Sequence, residues 1–272
     1  MAISTVDGLL AGFTGKRQKL PIAKGGLSTM VTGGNGSYWR STGAPGQGAI
    51  PAAPATCNAA TLGGVPYTLP TGGDSTYLAR LMLGSTVAQT TEVHDRLAHM
   101  GGLNGTLTTA QTVGLDLNAL AGTDNIGQRK GRSDWGTVQW WLEGYTQLGT
   151  AGATATVNYT NQLGVAQVTT VSIPANFRVS ALLPITPLPG DNIRSVDSIT
   201  LSVTTGAAGN FGVTATIQRS EISCFTANIG TLYDWTQLGL PPIYDNSCLF
   251  FVSNNSTTSA GTLNGAITLI QG

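Results

Sequence analysis

From Thr76 to the end, the sequence runs as short β-branched and aromatic stretches broken by turn residues. The breaks come at spacings of about 8 to 15 positions, the mark of a sandwich or a barrel. TYLARLML and TVAQTTEVHDRL flank Gly84 and Ser85, and ATATVNYT and VAQVTTVSIP flank Asn161 to Gly164. SITLSVTT and FGVTATIQRSEI flank GAAGN, CLFFVSN and TLNGAITLI flank a polar loop, and TVQWWLEGYT is a further aromatic strand. Read as hairpins, these pairs make a largely antiparallel assembly. Within ATATVNYT, Ala155, Val157 and Tyr159 alternate with Thr154, Thr156 and Asn158, so one face is buried and a threonine face is presented. The fold class expected is all-β: an antiparallel β-sandwich, with a jelly roll among the arrangements the pattern allows.

The first 75 residues read differently. Ser4, three positions before Asp7, caps a short helix carrying Leu9, Leu10 and Phe13. From Gly15 to Gly73 the chain is dense in Gly, Pro, Ala and Ser and shows no sustained period. Such a stretch is too long for an ordinary loop and reads as an extended N-terminal arm. The expected division is an arm over 1–75 and a β-sandwich domain over 76–272. One more helical turn is expected near Ile229 to Leu238, ended by Gly239 and the Pro241, Pro242 pair.

Charge narrows the function. Charged residues are 10% of the 272, with 13 basic and 13 acidic and no net charge. An ordinary soluble domain carries roughly 25%. A neutral chain has no long-range repulsion to keep copies apart and no field to gather nucleic acid. No apolar run reaches the length of a membrane span, and the N-terminus lacks the order of a secretory signal. Synthesis in a cytoplasm without export, with neither nucleic acid nor membrane as partner, is the expectation. Cys57, Cys224 and Cys248 are odd in number and widely spaced, which suits buried free thiols better than a disulfide framework.

The densest group of titratable residues is EVHDRLAHM, Glu92 to Met100, which holds both histidines. On a strand Glu92, His94 and Arg96 share one face and Val93, Asp95 and Leu97 the other. His94 and His99 differ by an odd number, so an uninterrupted strand parts them and they do not chelate one metal. No G-x-S-x-G elbow, phosphate loop or dinucleotide fingerprint is present. The reading is therefore a strand end closed by Asp95 and Arg96, with no catalytic residue, cofactor or metal. QRKGRSDW, with Arg129, Lys130 and Arg132 opposite Asp134, reads as a surface loop, and the tryptophans Trp135, Trp140 and Trp141 as core before sugar platform. Lys16, Arg17, Lys19, Leu20, Pro21 and Lys24 form one of the few charge clusters and are the candidate interface, suited to an acidic protein surface.

Three stretches resemble tailed-bacteriophage virion structural proteins: TYLARLML through LTTAQTV, IPANFRV through TIQRSEI, and LGLPPIY through ITLIQG. KLPIAKGGLSTM and YWRSTGAPGQG are similar in style. The resemblance covers most of the chain and is carried by structural segments. It implies a decoration or cement protein on the capsid surface of a virion made in the host bacterial cytoplasm. The implied partners are the major capsid protein and the chain itself, as dimer or trimer. A tail, baseplate or carbohydrate-receptor-binding component is the alternative, and an envelope-degrading hydrolase the alternative of another class.

Overall fold

The computed structural model describes residues 3–27, 30, 33–258 and 261–272. Helix α1 (Val6–Gly15) leads into β1 (Arg17–Lys24), β2 (Asn35–Ser37), β3 (Gly43–Ala44) and β4 (Ala55–Thr56). β5 (Thr76–Ser85), β6 (Gln89–Leu103), β7 (Gln111–Asp116) and α2 (Ile126–Arg129) follow. The middle of the chain supplies β8 (Gln139–Thr146), β9 (Ala153–Asn161), β10 (Ala166–Ile173), β11 (Ala181–Pro184) and β12 (Ile193–Leu201). The remainder is β13 (Asn210–Cys224), β14 (Gly230–Asp234), α3 (Trp235–Leu238), β15 (Pro242–Ile243), β16 (Leu249–Asn255) and β17 (Leu263–Gln271).

The all-β antiparallel class expected from the sequence holds, and its middle layer is a closed barrel. Strands β13, β8, β11, β2, β16 and β6 pair in that order, and β6 pairs back onto β13. One outer layer is the sheet β14-β5-β17-β1-β3, to which β15 adds through β5; the other is β10-β9-β12-β7. Strands β6 and β13, each 15 residues long, run past both outer sheets. On β6, Val93 joins the apolar core under the first sheet, while Leu97, Met100 and Leu103 join the core under the second. A third core, with Trp39, Trp141, Tyr145, Leu182, Phe250 and Val252, fills the barrel itself. β6 thus has apolar or polar packing on both faces, which is why its sequence shows no clean alternation.

The β9–β10 hairpin forms as read, with Ala166 opposite Thr160 through Ile173 opposite Ala153. Its alternation also holds: Ala155, Val157 and Tyr159 are buried and Thr154 is exposed. The other three expected hairpins do not form. β5 pairs with β14, β15 and β17, whereas β6 pairs with β4, β13 and β16. β12 and β13, and likewise β16 and β17, also lie in different sheets. In each case the short connection drops the chain from one layer to the next, because the apolar faces on the two sides of it feed different cores.

The segment read as an arm is built into the body. β1 pairs along its whole length with β17, Arg17 opposite Ile270 through Lys24 opposite Leu263. β2 sits between β11 and β16 and closes the barrel. Trp39, just beyond it, is fully buried and donates its indole N–H to Ala49 O at 2.9 Å. The backbone of Gly48 lies so near the indole that a Cβ there would stand 2.2 Å from the ring. The glycine-rich stretch lacks a period because it wraps closely around one large side chain, an approach that glycine permits. Helix α1 starts one residue later than expected, with Thr5 accepting from the Gly8 N–H at 3.0 Å, and packs Leu9 onto Ala79 and Ile270. The expected turn near 229–238 is β14 followed by α3, capped by Asp234 and ended by Gly239 in the left-handed region.

Candidate functional site

EVHDRLAHM occupies the middle of β6 and not its end. Opposite β13, the register slips between Ala215 and Thr216, so Leu97 is an extra residue on the β6 side. A bulge of this kind adds one residue to one strand and resets the alternation beyond it. His94 and His99, which an uninterrupted strand would part, therefore both enter the barrel. The Phe250 ring lies 6.0 Å from His94, Trp39 lies 5.3 Å from His99, and Trp39 and Phe250 stand 6.1 Å apart.

Between the histidines lies Arg96, fully buried. Its Nη2 is 2.5 Å from Glu143 Oε2, 2.8 Å from His99 Nδ1, 2.9 Å from Tyr145 Oη and 3.0 Å from Thr214 Oγ1. The guanidinium also stacks over Trp39, 4.3 Å from the ring centre, and Phe250, 5.3 Å away. Burial by itself would push the Glu143 carboxyl up, but the Arg96 charge and its hydrogen bonds outweigh this and hold it below the ordinary value. His94 bridges Glu92 Oε2 at 2.6 Å and Thr216 Oγ1 at 3.0 Å, and Thr216 Oγ1 accepts from the Trp141 indole at 2.9 Å.

On the other face of β6, Asp95 anchors a second ionic group. Arg129 donates to both its oxygens at 2.6 and 3.2 Å, Arg219 at 3.0 Å, Ser247 Oγ at 2.8 Å and the Cys248 N–H at 2.8 Å. Burial opposes ionisation, yet the two arginines hold this carboxyl down to about 2. Arg129, read from the sequence as part of a surface loop, is thus buried on α2, 34 positions from its partner. Its neighbours fit the surface reading better: the exposed Arg132 pairs with the half-buried Asp134 at 2.6 Å, and Lys130 lies 4.1 Å from the centre of the Trp135 ring. Among the described residues no cluster of three His, Cys, Asp or Glu could hold a metal ion. One cleft lies between α1 and the end of β17 and one beside Phe177 to Leu183, neither lined by these groups, while Arg219 and Trp141 each reach the wall of another, open cleft. Among the described residues no helix is long and apolar enough to cross a membrane.

The candidate interface separates by face along β1. Arg17, Lys19 and Pro21 are exposed, while Leu20 is half-buried against the core under the first sheet. Lys16, at the end of α1, pairs with Asp74. Lys24 is not a surface residue: it is 2% exposed, and its ammonium donates to the carbonyls of Ser41 at 2.8 Å and Pro45 at 2.9 Å. Burial without a counter-charge lowers it from 10.5 to about 8. Between those values the unfolded chain binds more protons than the folded one, so this residue's contribution to stability improves as pH rises through that window. Relative to Lys24→Met, the wild type should gain about 2 kcal/mol from pH 8 to 10.5. Parallel stability curves for the two proteins in urea titrations across that range would count against it.

No family model matches the chain, and no curated protein matches it. Among solved structures, it is similar to a chain in the structure of infectious bursal disease virus Gt strain, at 10% identity over 99% of this chain and 87% of that one, with a TM-score of 0.18. A chain of the infectious bursal disease virus VP2 subviral particle is similar at 10% identity over 93% and 80%, also with a TM-score of 0.18. Superpositions this loose carry no argument about fold or role.

Proposed function

We propose that this chain is a virion structural protein of the tailed-phage head decoration, or cement, type. In this reading it is made in the bacterial cytoplasm and sits on the capsid surface, bound to the major capsid protein and to copies of itself as a dimer or trimer. The observation that carries the proposal is the outer face of the β10-β9-β12-β7 sheet. Thr154, Thr156, Asn158 and Thr160 of β9 lie in register with Ser172, Thr170, Val168 and Ala166 of β10, and with Thr200 and Ser198 of β12. Apart from Arg194 and Asp197 on β12 and Asp116 on β7, this surface is uncharged. A monomer usually covers such a face with lysine and glutamate; hydroxyl and methyl groups can be desolvated against a neighbour at little cost. The sequence stretches that resemble tailed-phage virion proteins, and the low overall charge, point the same way.

Binding of this kind stabilises a shell by mass action, because a ligand selective for the assembled state shifts the equilibrium toward it. With the leader folded into the body, the contact falls to the sheet faces and to Arg17, Lys19 and Pro21 on β1. The reading assigns no catalysis, which is supported by the way the charged groups of β6 are taken up, Arg96 by Glu143 inside the barrel and Asp95 by Arg129 on the opposite face. A tail-tip reading based on a platform of several tryptophans loses support, since Trp39, Trp135, Trp140 and Trp141 are buried and only Trp235 of the five is exposed, at 37%.

The test is copy number in purified particles, by densitometry or by imaging of heads. On the order of hundreds of copies per particle is the expected result for a ligand that acts additively over a shell. A handful, or density at the tail, overturns the head assignment.

A further inference from the structure

Two of the three thiols meet inside the molecule. Cys57 directly follows β4 and Cys248 directly precedes β16, and both strands dock on the same edge of β6. At the Leu97 bulge the Cys57 N–H donates to Leu97 O at 3.0 Å, while Cys248 O accepts from the Arg96 N–H at 2.9 Å. Consecutive residues of one strand thus hold the two cysteines side by side, both fully buried in the barrel core. The His99 side chain and the Arg96 charge act on Cys57. Gly64, itself buried, packs directly on Cys248, where a Cβ would stand 2.7 Å from the sulfur, and Leu62 in the same turn is 65% exposed.

We infer that Cys57 and Cys248 are an oxidation site, a dithiol preset to become a disulfide, with Cys57 oxidised first and Cys248 resolving. The assignment of roles follows the surroundings. Burial would raise the Cys57 thiol, but the neighbouring Cys248 and His99 side chains and the charge of Arg96 outweigh it and hold it well below the ordinary value. The neighbouring Cys57 side chain, and then burial, push Cys248 up. The oxidant is a peroxide. The Cys57 thiolate attacks one peroxide oxygen, the O–O bond breaks, and hydroxide leaves, giving a sulfenic acid. The Cys248 sulfur then attacks the Cys57 sulfur, the S–O bond breaks, and the departing hydroxide takes the Cys248 proton as water. Two thiols are oxidised and one peroxide is reduced to water. The bond would join the N-terminal segment to the C-terminal strand across β6. Closing so long a loop should raise Tm by on the order of 5 °C. The chemistry stands independently of the proposed virion role; if that role holds, the staple would close once the particle leaves a reducing cytoplasm.

Cys224 supplies an internal control: its thiol is buried, pushed up by that burial, and lies at the outer end of β13, 3.5 Å from Leu83 O. The experiment treats the folded full-length chain with hydrogen peroxide, removes the peroxide, alkylates under denaturing conditions and maps peptides by mass spectrometry. The expected result is a linked Cys57–Cys248 peptide, with Cys224 still alkylated. Cys248→Ser should stop at a sulfenic acid on Cys57 that dimedone captures, and Cys57→Ser should leave Cys248 reduced. The wild-type map needs no variant to fold. A linked pair involving Cys224, or no linked peptide until the protein is unfolded, overturns the inference.

Discussion

A chain beginning at Thr76 should fail to fold. Its loss would remove β1 from between β17 and β3, and β2 from between β11 and β16, which opens the barrel. It would also remove Tyr38, Trp39, Cys57 and Val65, each at most 1% exposed. Truncating a single buried tryptophan costs about 3–5 kcal/mol, against a total stability of about 5–15 kcal/mol for a whole protein. Arg96 would lose the indole it stacks on, and Asp95 with its arginines would face solvent where β4 and Cys57 had covered them. The measurement is circular dichroism with limited proteolysis on the truncated chain. A cooperative thermal transition near that of the full protein would show that the first 75 residues are an appendage after all. Recovery of the transition on adding residues 3–75 as a separate peptide would show that they belong to the fold.

What could be read in the sequence follows from where information is local. The β9–β10 hairpin was legible because alternation, loop and partner all lie within about twenty residues of chain, in keeping with short-range hairpin signals. The three hairpins that do not form had equally good turn residues. What distinguishes them is which core each strand feeds, and that is set by residues far along the chain: Val93 packs with Leu249 and Ile267, whereas Leu97 packs in the core of Val157 and Ile199. The meeting of His94 and His99 was hidden by a single extra residue, Leu97, whose bulge depends on the partner strand. Arg129 gave no local sign that it would be buried, since its carboxylate is on another element. One local signal does point to the body of the fold: a tryptophan set among glycines, as at Trp39 and Gly48, asks for close backbone packing, which a solvated arm does not provide.

Glu143→Ala should be among the most destabilising single changes in the molecule, at about 3–5 kcal/mol, because it leaves the Arg96 guanidinium fully buried without a counter-charge. Arg96→Met should cost a similar amount by stranding the carboxylate. The pair itself is a different matter. Arg96 Nε and Nη1 have no protein acceptor, so the ion pair is bought with incomplete hydrogen bonding. Replacing both, as Arg96→Met with Glu143→Leu, should therefore cost far less than the sum of the single changes, with a coupling of at least about 3 kcal/mol. Tyr145 keeps His99 at 3.2 Å and Thr214 at 3.4 Å as partners in the double variant, which limits the polar groups left unmatched. Acid provides an independent readout. A carboxyl held below its unfolded value lends stability that is complete above that value and is lost as pH falls through the folded one. Glu143 and Asp95 both contribute to that loss in the wild type, so the double variant, which retains Asp95 alone of the two, should lose less stability below about pH 4. Additive single costs, or an acid limb as steep as the wild type's, would mean that the barrel interior does not depend on this ion pair.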